Sequence, residues 1–407
     1  MQLYRNVLTI FAWMLKKNLL PLFILLIVSA YSCRKNKLFT DPATLKFSVD
    51  TVIFDTVFTQ IGSITKVFKV YNPYKQPVVI SSIALAGGSG SNFRINIDGQ
   101  SKFYQENIEL RAQDSIFIFA EVTVDPNNGS NPMIITDSIV FSTNGNIQDI
   151  DLVAWGQDAY FWYSTNGSYF FPIDDDEVYY TNYVLPTDKP HVVYGYLVID
   201  STNTLTLPEG LKMYFHQYSG LGVDASATLK VEGTKDNPVL FTSDRLDMDY
   251  RDIPGQWGHT ALGGIWLSQT SMDNEINYAI IRNGNIGLEA DSFNTGSSNP
   301  TLRLTNTIIE NMSGVGLFAK NAIVEASNCV FSNCGQFTTA LAYGGDYEFS
   351  HCTFGNYWSY ASRDKGQLLL NNYLDAAGIQ KKWNLNAMFN NCIIYGNKED
   401  EIVLDNT

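Results

Sequence analysis

Apolar and polar residues alternate in short runs along this chain, and none of the runs keeps the three-to-four-residue spacing of an amphipathic helix. Seven extended runs follow one another between residues 45 and 157: "DTVIFDTVF", "ITKVFKVYN", "PVVISSIAL", "NFRINI", "DSIFIFAEVTV", "DSIVFST" and "QDIDLVAWG". Each is rich in β-branched and aromatic residues. Turn clusters such as "NPYKQP", "GGSGS" and "DPNNGSNP" divide them. Seven short strands in so compact a stretch predict a β-sandwich.

From about Tyr160 the pattern changes to a repeat. "YAIIRN" ends at Asn283, "NTIIEN" at Asn311, "NCVFSN" at Asn333 and "HCTFGN" at Asn356, at intervals of 28, 22 and 23 residues. A fifth unit, "NCIIYGN", follows at 391–397 after a longer gap. Earlier units are visible in "LVIDSTNTLTLPEGLKMYFH" and "ATLKVEGTKDNPVLFTSD". Such periods mean stacked supersecondary units, each too thin to bury its own apolar face. Strand alternation turns two columns inward. One is small: Ala279, Thr307, Cys329, Cys352 and Cys392. The other is large: Ile281, Ile309, Phe331, Phe354 and Ile394. The terminal asparagines tolerate left-handed backbone and are expected to form an amide ladder at a turn. Ile280, Ile308, Val330, Thr353 and Ile393 then point outward, and four of these five are apolar. The long segment 357–386, or a partner, is expected to cover them. The last unit lies just before Thr407 with no obvious cap, so more chain or a second protein is expected there.

Three resemblances rest on these residues. The order "VYNPYKQPVVISSIAL" resembles the immunoglobulin-like domains of the spindle-protein and sperm-protein superfamily, over about a quarter of the chain. There is no Cys…Trp…Cys set of the antibody kind. The repeat, a coil of about 22 residues made of short strands and turns, resembles the right-handed parallel β-helix superfamily that includes the pectin lyases. "LKVEGTKDNPVLFTSD" and "PGQWGHTALGGIWL" resemble entry coils of β-helix lipoproteins common in the Bacteroidota. The fold class is therefore all-β: an immunoglobulin-like sandwich at 45–157, then a right-handed parallel β-helix at 160–407.

The N-terminus supplies an address. In "MLKKNLLPLFILLIVSAYSC", two lysines precede an apolar stretch at 18–30 that is too short to span a bilayer, which needs about 20 apolar residues. Small residues then lead to Cys33. This resembles a bacterial lipoprotein signal over residues 1–33, with Met14 as the true start, lipidation at Cys33 and a tether at 34–44. The tether opens with "RKNK" instead of the acidic tract of many surface lipoproteins, which suggests the periplasmic side of the outer membrane. Removing residues 1–32 takes away Arg5, Lys16 and Lys17 and no acid. That leaves 24 basic against 41 acidic residues, a formal net charge of −17. Such a chain is a poor partner for nucleic acid, which needs cations against phosphate.

Candidate chemistry falls in two places. The loop "SDRLDMDYRDIPGQW" gathers Asp244, Asp247, Asp249 and Asp252 with Arg245 and Arg251. β-helix lyases use outward aspartates for calcium and an arginine or lysine as base. Here the arginines alternate with the acids and can pair with them, and no calcium-loop pattern is present. The run "GNYWSYASRDK" places Tyr357, Trp358 and Tyr360 together, followed by Arg363. Exposed, these rings suit sugar stacking or a protein hot spot; folded back, they cover the coil wall. The stacked cysteines read as a reduced inward column, since side chains on adjacent parallel strands suit disulfide geometry poorly. The histidines are scattered and show no zinc spacing, and no phosphate loop or nucleotide fingerprint appears, so no cofactor is implied. Two function classes remain. One is a non-catalytic envelope lipoprotein binding a glycan or an envelope protein. The other is a polysaccharide lyase or hydrolase on the coil. The first is preferred, because no outward column is acidic.

Overall fold

A computed structural model describes residues 37–126, 133–171, 182–259, 263–271, 273–292, 299–376 and 378–406. Cys33, Met14 and the proposed signal lie outside them. The described chain is all-β except for one short 3-10 turn at Gly88–Gly90. By contact density it divides into two units. One holds the described residues up to Ile53, Ser63–Val122 and Thr136–Val153; the other holds Phe54–Gly62, Thr123–Ile135 and everything from Ala154 onward.

The N-terminal sandwich has two five-stranded sheets with antiparallel pairings. One is ordered Lys46–Phe47, Lys66–Tyr71, Ser115–Val122, Phe93–Ile97, Gln100–Ser101. The other is ordered Thr51–Phe58, Asn146–Gln157, Met133–Thr143, Val78–Leu85, Tyr104–Leu110. Alternation decides which side is core: Ile116, Ile118, Ala120 and Val122 are buried, while Phe117 and Phe119 between them are exposed. The sandwich has three strands more than the sequence pattern predicts: Lys46–Phe47, Gln100–Ser101 and Tyr104–Leu110. The last, "YQENIEL", is an edge strand that is mostly solvent-facing, so it lacks the apolar alternation that would announce it.

In the second half every named strand pairing of the coil is parallel. Each coil contributes three strands. The coil at 302–320 shows the plan, with Leu302–Thr305, Ile308–Glu310 and Val315–Lys320. The next begins at Ile323–Ser327, which pairs with Leu302–Thr305. The rungs stack in the expected register: Ile280, Ile308, Val330, Thr353 and Ile393 are successive partners. In the first coil one long strand, His191–Ile199, pairs with both Lys212–Phe215 and Gly220–Val223, which joins two of the three strips into one sheet.

The inward columns are as alternation requires. Ala279, Thr307, Cys329 and Cys352 are buried, as are Ile281, Ile309, Phe331 and Phe354; in the last coil Cys392 and Ile394 are half-buried. Phe331 stacks on Phe354 at 5.0 Å and meets Phe349 edge-on at 6.0 Å. The column cysteines are free thiols. The Cys329, Cys352 and Cys392 Sγ–H groups each donate to the carbonyl two residues back, at 3.2, 3.4 and 3.4 Å.

Two expectations change. The main amide ladder stands at the start of the rungs, not at their ends. Asn306 Nδ2 donates to Asn277 Oδ1 at 2.8 Å, and Asn328 Nδ2 donates to Asn306 Oδ1 at 2.7 Å. Tyr278, Asn306, Asn328, His351 and Asn391 all turn with positive φ there. At the rung ends Asn283, Asn311 and Asn333 also have positive φ, and Asn311 Nδ2 donates to Asn283 Oδ1 at 2.7 Å. Asn356 leaves that ladder: it is buried, and its Nδ2 donates to the Cys334 carbonyl at 2.9 Å. The segment 357–386 does not cover the outward ladder. Its leucines form Leu368–Asn371, which pairs with Phe337–Ala342 and Ile402–Asp405 on a different strip. Its remainder makes a hairpin, Tyr373–Ala376 with Ile379–Lys382, whose second strand is exposed. Ile280, Ile308, Val330 and Thr353 are half-buried, with each other as ladder neighbours, and Ile393 is exposed.

Replacing Phe331 by Ala removes a ring packed on two others, and the expected loss is about 3–5 kcal/mol in a urea-unfolding measurement. A loss under about 1 kcal/mol would contradict the inward placement.

Candidate functional site

The two regions singled out in the sequence meet at one point. Tyr360 Oη donates to the Asp252 carbonyl at 3.1 Å, across 108 residues, and Asn311 Nδ2 donates to the same carbonyl at 2.7 Å. The acids of the loop are not massed around a vacancy. Asp247 is buried and accepts from Arg245 Nε at 3.1 Å. Asp252 pairs with Arg251 at 3.3 Å, both exposed, and Asp249 is exposed as well. Asp244 accepts from His216 Nδ1 at 2.7 Å and from Tyr194 Oη at 3.4 Å, with the Tyr194 and His216 rings stacked at 4.5 Å. Of the aromatic trio, Trp358 is buried and leans on Tyr360 at 5.2 Å, whereas Tyr357 and Tyr360 are exposed. Arg363 is buried and bidentate on Glu401, at 2.8 Å through each guanidinium nitrogen, so it anchors its loop. Among the described residues no group of three or more His, Cys, Asp or Glu is placed to hold a metal ion.

A better-formed site lies elsewhere, on the outer face of the strip containing Ile265–Leu267, Ile286–Asp291, Val315–Lys320, Phe337–Ala342 and Leu368–Asn371. Ladder register aligns Gly222, Trp266, Glu289, Phe318, Ala340 and Leu369 in one outward column. Gly222 lies next to Trp266 in this column, and a Cβ there would meet Val198 Cγ2 at 3.3 Å. A second outward cluster forms beside this column, because the register skips Gly287 and Gly316 and so turns Ile286 and Val315 to the outside. Ile286, Val315, Phe318, Phe337, Ala340 and Leu369 thereby floor a groove of about 290 Å³, rimmed by Asn285, Ser313 and Gln336.

Three charged groups stand on the same strip, between Trp266 and the groove floor at Phe318. Lys320 faces Asp291 across the ladder and contacts it at 3.2 Å; its ammonium also donates to Glu289. Asp291 Oδ2 in turn accepts from Trp266 Nε1 at 3.2 Å. The Lys320 ammonium also sits 4.7 Å from the centre of the Phe318 ring. Glu289 is only 1% exposed, because the backbone of Gly263 lies against it; a Cβ on Gly263 would approach Glu289 Cβ to 2.6 Å. Burial pushes the Glu289 carboxyl above its ordinary value, and Lys320 pulls it back without cancelling the rise. Burial works against the Lys320 charge, but Glu289 and Asp291 together hold its ammonium above the usual lysine range. Chemically this is a chain of fixed orientation, carboxylate to ammonium to carboxylate to indole, that presents an aromatic ring beside an apolar trough. Sequence reasoning missed it. The signal was present in the aligned strands "IGLEAD", "VGLFAK" and "FTTALA", where two acids and a lysine interrupt positions that are otherwise apolar.

No protein-family model matches the chain, and no curated protein matches it. Solved structures match at low overall similarity. The catalytic unit of a thermostable GH87 alpha-1,3-glucanase from Streptomyces thermodiastaticus is 10% identical, with 81% of this chain and 61% of that one covered and a TM-score of 0.28. A family 123 glycoside hydrolase from Clostridium perfringens is 10% identical, over 28% of this chain and 26% of that one, at a TM-score of 0.20. The ASH/PapD-like domain 7 of human CEP192 is 10% identical, over 30% of this chain and 89% of that one, at a TM-score of 0.20. This chain therefore spans about a quarter of the Clostridium hydrolase and about three-fifths of the glucanase unit.

The His216–Asp244 contact has a consequence for pH. The hydrogen bond from Asp244 raises the His216 pKa above its ordinary 6.5, against an opposing pull from burial and Arg245. A histidine raised on folding contributes stability that is fully present below its unfolded value and is lost as pH rises through the folded one. The His216 contribution to the thermal midpoint should therefore fall as pH rises through its folded value, and between about pH 6 and 8 Asp244→Asn should lose less stability than the unaltered chain. His216 is half exposed, which keeps the effect small. Calorimetry on both chains across that range checks it.

Proposed function

We propose that this protein is a cell-envelope lipoprotein that binds a neutral glycan chain, without cleaving it, in the outer groove of its parallel coil. The observation that carries the reading is the groove itself. Outward columns of a parallel coil normally face water, yet here Phe318, Phe337, Ala340 and Leu369 form an apolar floor with a polar rim. A sugar ring has the matching character: apolar C–H faces that stack on aromatic rings, and hydroxyls around its edge. Trp266 and Phe318 stand two coils apart, about 10 Å along the axis, which suits successive rings of one chain. The charge supports a neutral ligand. Lys320 is committed to Glu289 and Asp291, and none of the described residues that line the groove itself is a cation.

The geometry speaks against hydrolysis at this place. Glycosidases need two carboxyl groups that reach the scissile bond from either side. Glu289 is sealed beneath Gly263, and it shares one ammonium with Asp291. The test is affinity electrophoresis and calorimetry against panels of neutral and uronic-acid oligosaccharides. Neutral oligosaccharides should bind, Trp266→Ala and Phe318→Ala should each weaken binding by about tenfold or more, and no reducing ends should be released. Release of reducing ends would replace this reading with the hydrolase one, and absence of binding to any glycan would remove it.

The envelope address is a separate part of the proposal. It is supported by the order of lysines, apolar stretch and small residues before Cys33. Mass spectrometry of the mature N-terminus should find an acylated Cys33 and no residue before it. A free thiol at Cys33, or a chain that keeps residues 18–32, would refute it.

A further inference from the structure

We infer that the outer face of one sandwich sheet, built from Lys46, Val67, Lys69, Tyr71, Phe117 and Phe119, docks on an anionic lipid surface. The inference rests on the lipidation reading only for what brings the face to the membrane.

The face is unusual for this chain. Alternation along Ser115–Val122 leaves Phe117 and Phe119 43% and 38% exposed on the second-neighbour positions of an interior strand. Ladder register sets Val67 beside Phe119, Lys69 beside Phe117, and Lys46 beside Tyr71. The two phenylalanine rings stack at 6.3 Å, and the Lys69 ammonium lies 4.7 Å from the Phe117 centroid. Arg94 adds a further cation on the same face, opposite Glu121, and the exposed Asp98, whose N–H donates to the Phe117 carbonyl at 3.1 Å, adds a second acid beside the rings. Lys46, Lys69 and Arg94 stand against the two carboxylates Glu121 and Asp98, a small positive excess in a chain whose formal net charge is −14. Exposed rings interleaved with lysine and arginine are the composition that settles at a headgroup boundary: rings enter the acyl border and ammonium groups meet lipid phosphates.

The chain outside the sandwich is short enough to hold this face there. The segment after Cys33 is already fastened at Phe39, whose N–H donates to the Pro77 carbonyl at 2.9 Å and whose ring stacks on Tyr74 at 4.1 Å. Asn144 Nδ2 donates to the Phe39 carbonyl at 2.7 Å and to the Asp41 carbonyl at 3.0 Å. Only the residues from Cys33 to Phe39 remain as a leash, about 20 Å when fully extended. Tyr74 follows Tyr71 by three residues, so the leash enters beside the Tyr71 end of the face, and Val67 lies only about 13 Å further along the strand. An anchor at Cys33 therefore keeps the patch within reach of the bilayer, where even a weak surface affinity acts at high local concentration.

The test is hydroxyl-radical footprinting of the full lipidated chain, reconstituted in two kinds of vesicle. One kind holds equal parts phosphatidylglycerol and phosphatidylethanolamine, and the other holds phosphatidylcholine alone. Oxidation of Tyr71, Phe117 and Phe119 should fall several-fold in the anionic vesicles relative to the zwitterionic ones, while exposed Tyr360 should label equally in both. Phe117→Ser with Phe119→Ser should restore Tyr71 labelling. Equal labelling of the three residues in both vesicles overturns the proposal even when Cys33 is acylated. A free Cys33 removes the anchor reading alone; the same footprint on that chain with anionic vesicles added then decides the face, protection supporting it and equal labelling overturning it.

Discussion

Parallel stacking of one coil on the next is the constraint from which the rest of this protein follows. A strand in the coil finds its hydrogen-bond partners only in the coils before and after it, as Val330–Ser332 does between Ile308–Glu310 and Thr353–Asn356. Every coil must therefore return to the same register, and every inward position must accept the side chain stacked above it. Phe331 on Phe354 and Cys329 on Cys352 are consequences of that demand, not independent choices. The corners obey it too. A left-handed turn repeated at Asn306, Asn328, His351 and Asn391 keeps the strands in step, and the asparagine amides among them replace backbone partners that a corner cannot supply.

What stacking dictates inside, it leaves free outside. On the rung strip the outward column Ile280, Ile308, Val330 and Thr353 stays half-buried with its own members as ladder neighbours. On the neighbouring strip the same freedom yields a groove, because the skipped register at Gly287 and Gly316 adds a second apolar column beside the first. An interruption of the pairing that repeats from coil to coil at these positions is thus the step that turns a flat wall into a trough. The sandwich shows the same separation of roles. Its inward residues obey alternation, and its outward Phe117 and Phe119 do not serve the fold.

The repeat was legible because its period and its inward columns are properties of single positions. The rung order and the inward cysteine column could both be read from residue type and spacing. The groove could not, since it depends on which outward residues lie side by side, and that in turn depends on strands separated by 22 to 29 residues. The acidic loop pairs as its alternating charges suggest: Arg245 meets Asp247 and Arg251 meets Asp252, while Asp244 reaches out of the loop to His216. The leucines of 368–370 read as a cover for the rung ladder and instead continue the groove strip. An apolar triplet states that it must be buried, and leaves open against which wall.

The triad at the end of the groove is the feature least explained by stability. Withdrawing charged groups from water is costly, and an apolar replacement of similar volume is often neutral or stabilising. The same outward column adopts that apolar solution in the very next coils, at Phe318, Ala340 and Leu369. Glu289, Asp291 and Lys320 are thus not what stacking requires. Their distinctive effect is directional: Glu289 holds Lys320, Lys320 holds Asp291, and Asp291 holds the Trp266 indole by its N–H. A ring so restrained loses little freedom when a ligand stacks on it, which is how preorganisation turns a small contact into affinity. The restrained ring thus accounts for two acids and a lysine in two adjoining outward columns, Glu289 in one and Asp291 with Lys320 in the other, whose later members are apolar.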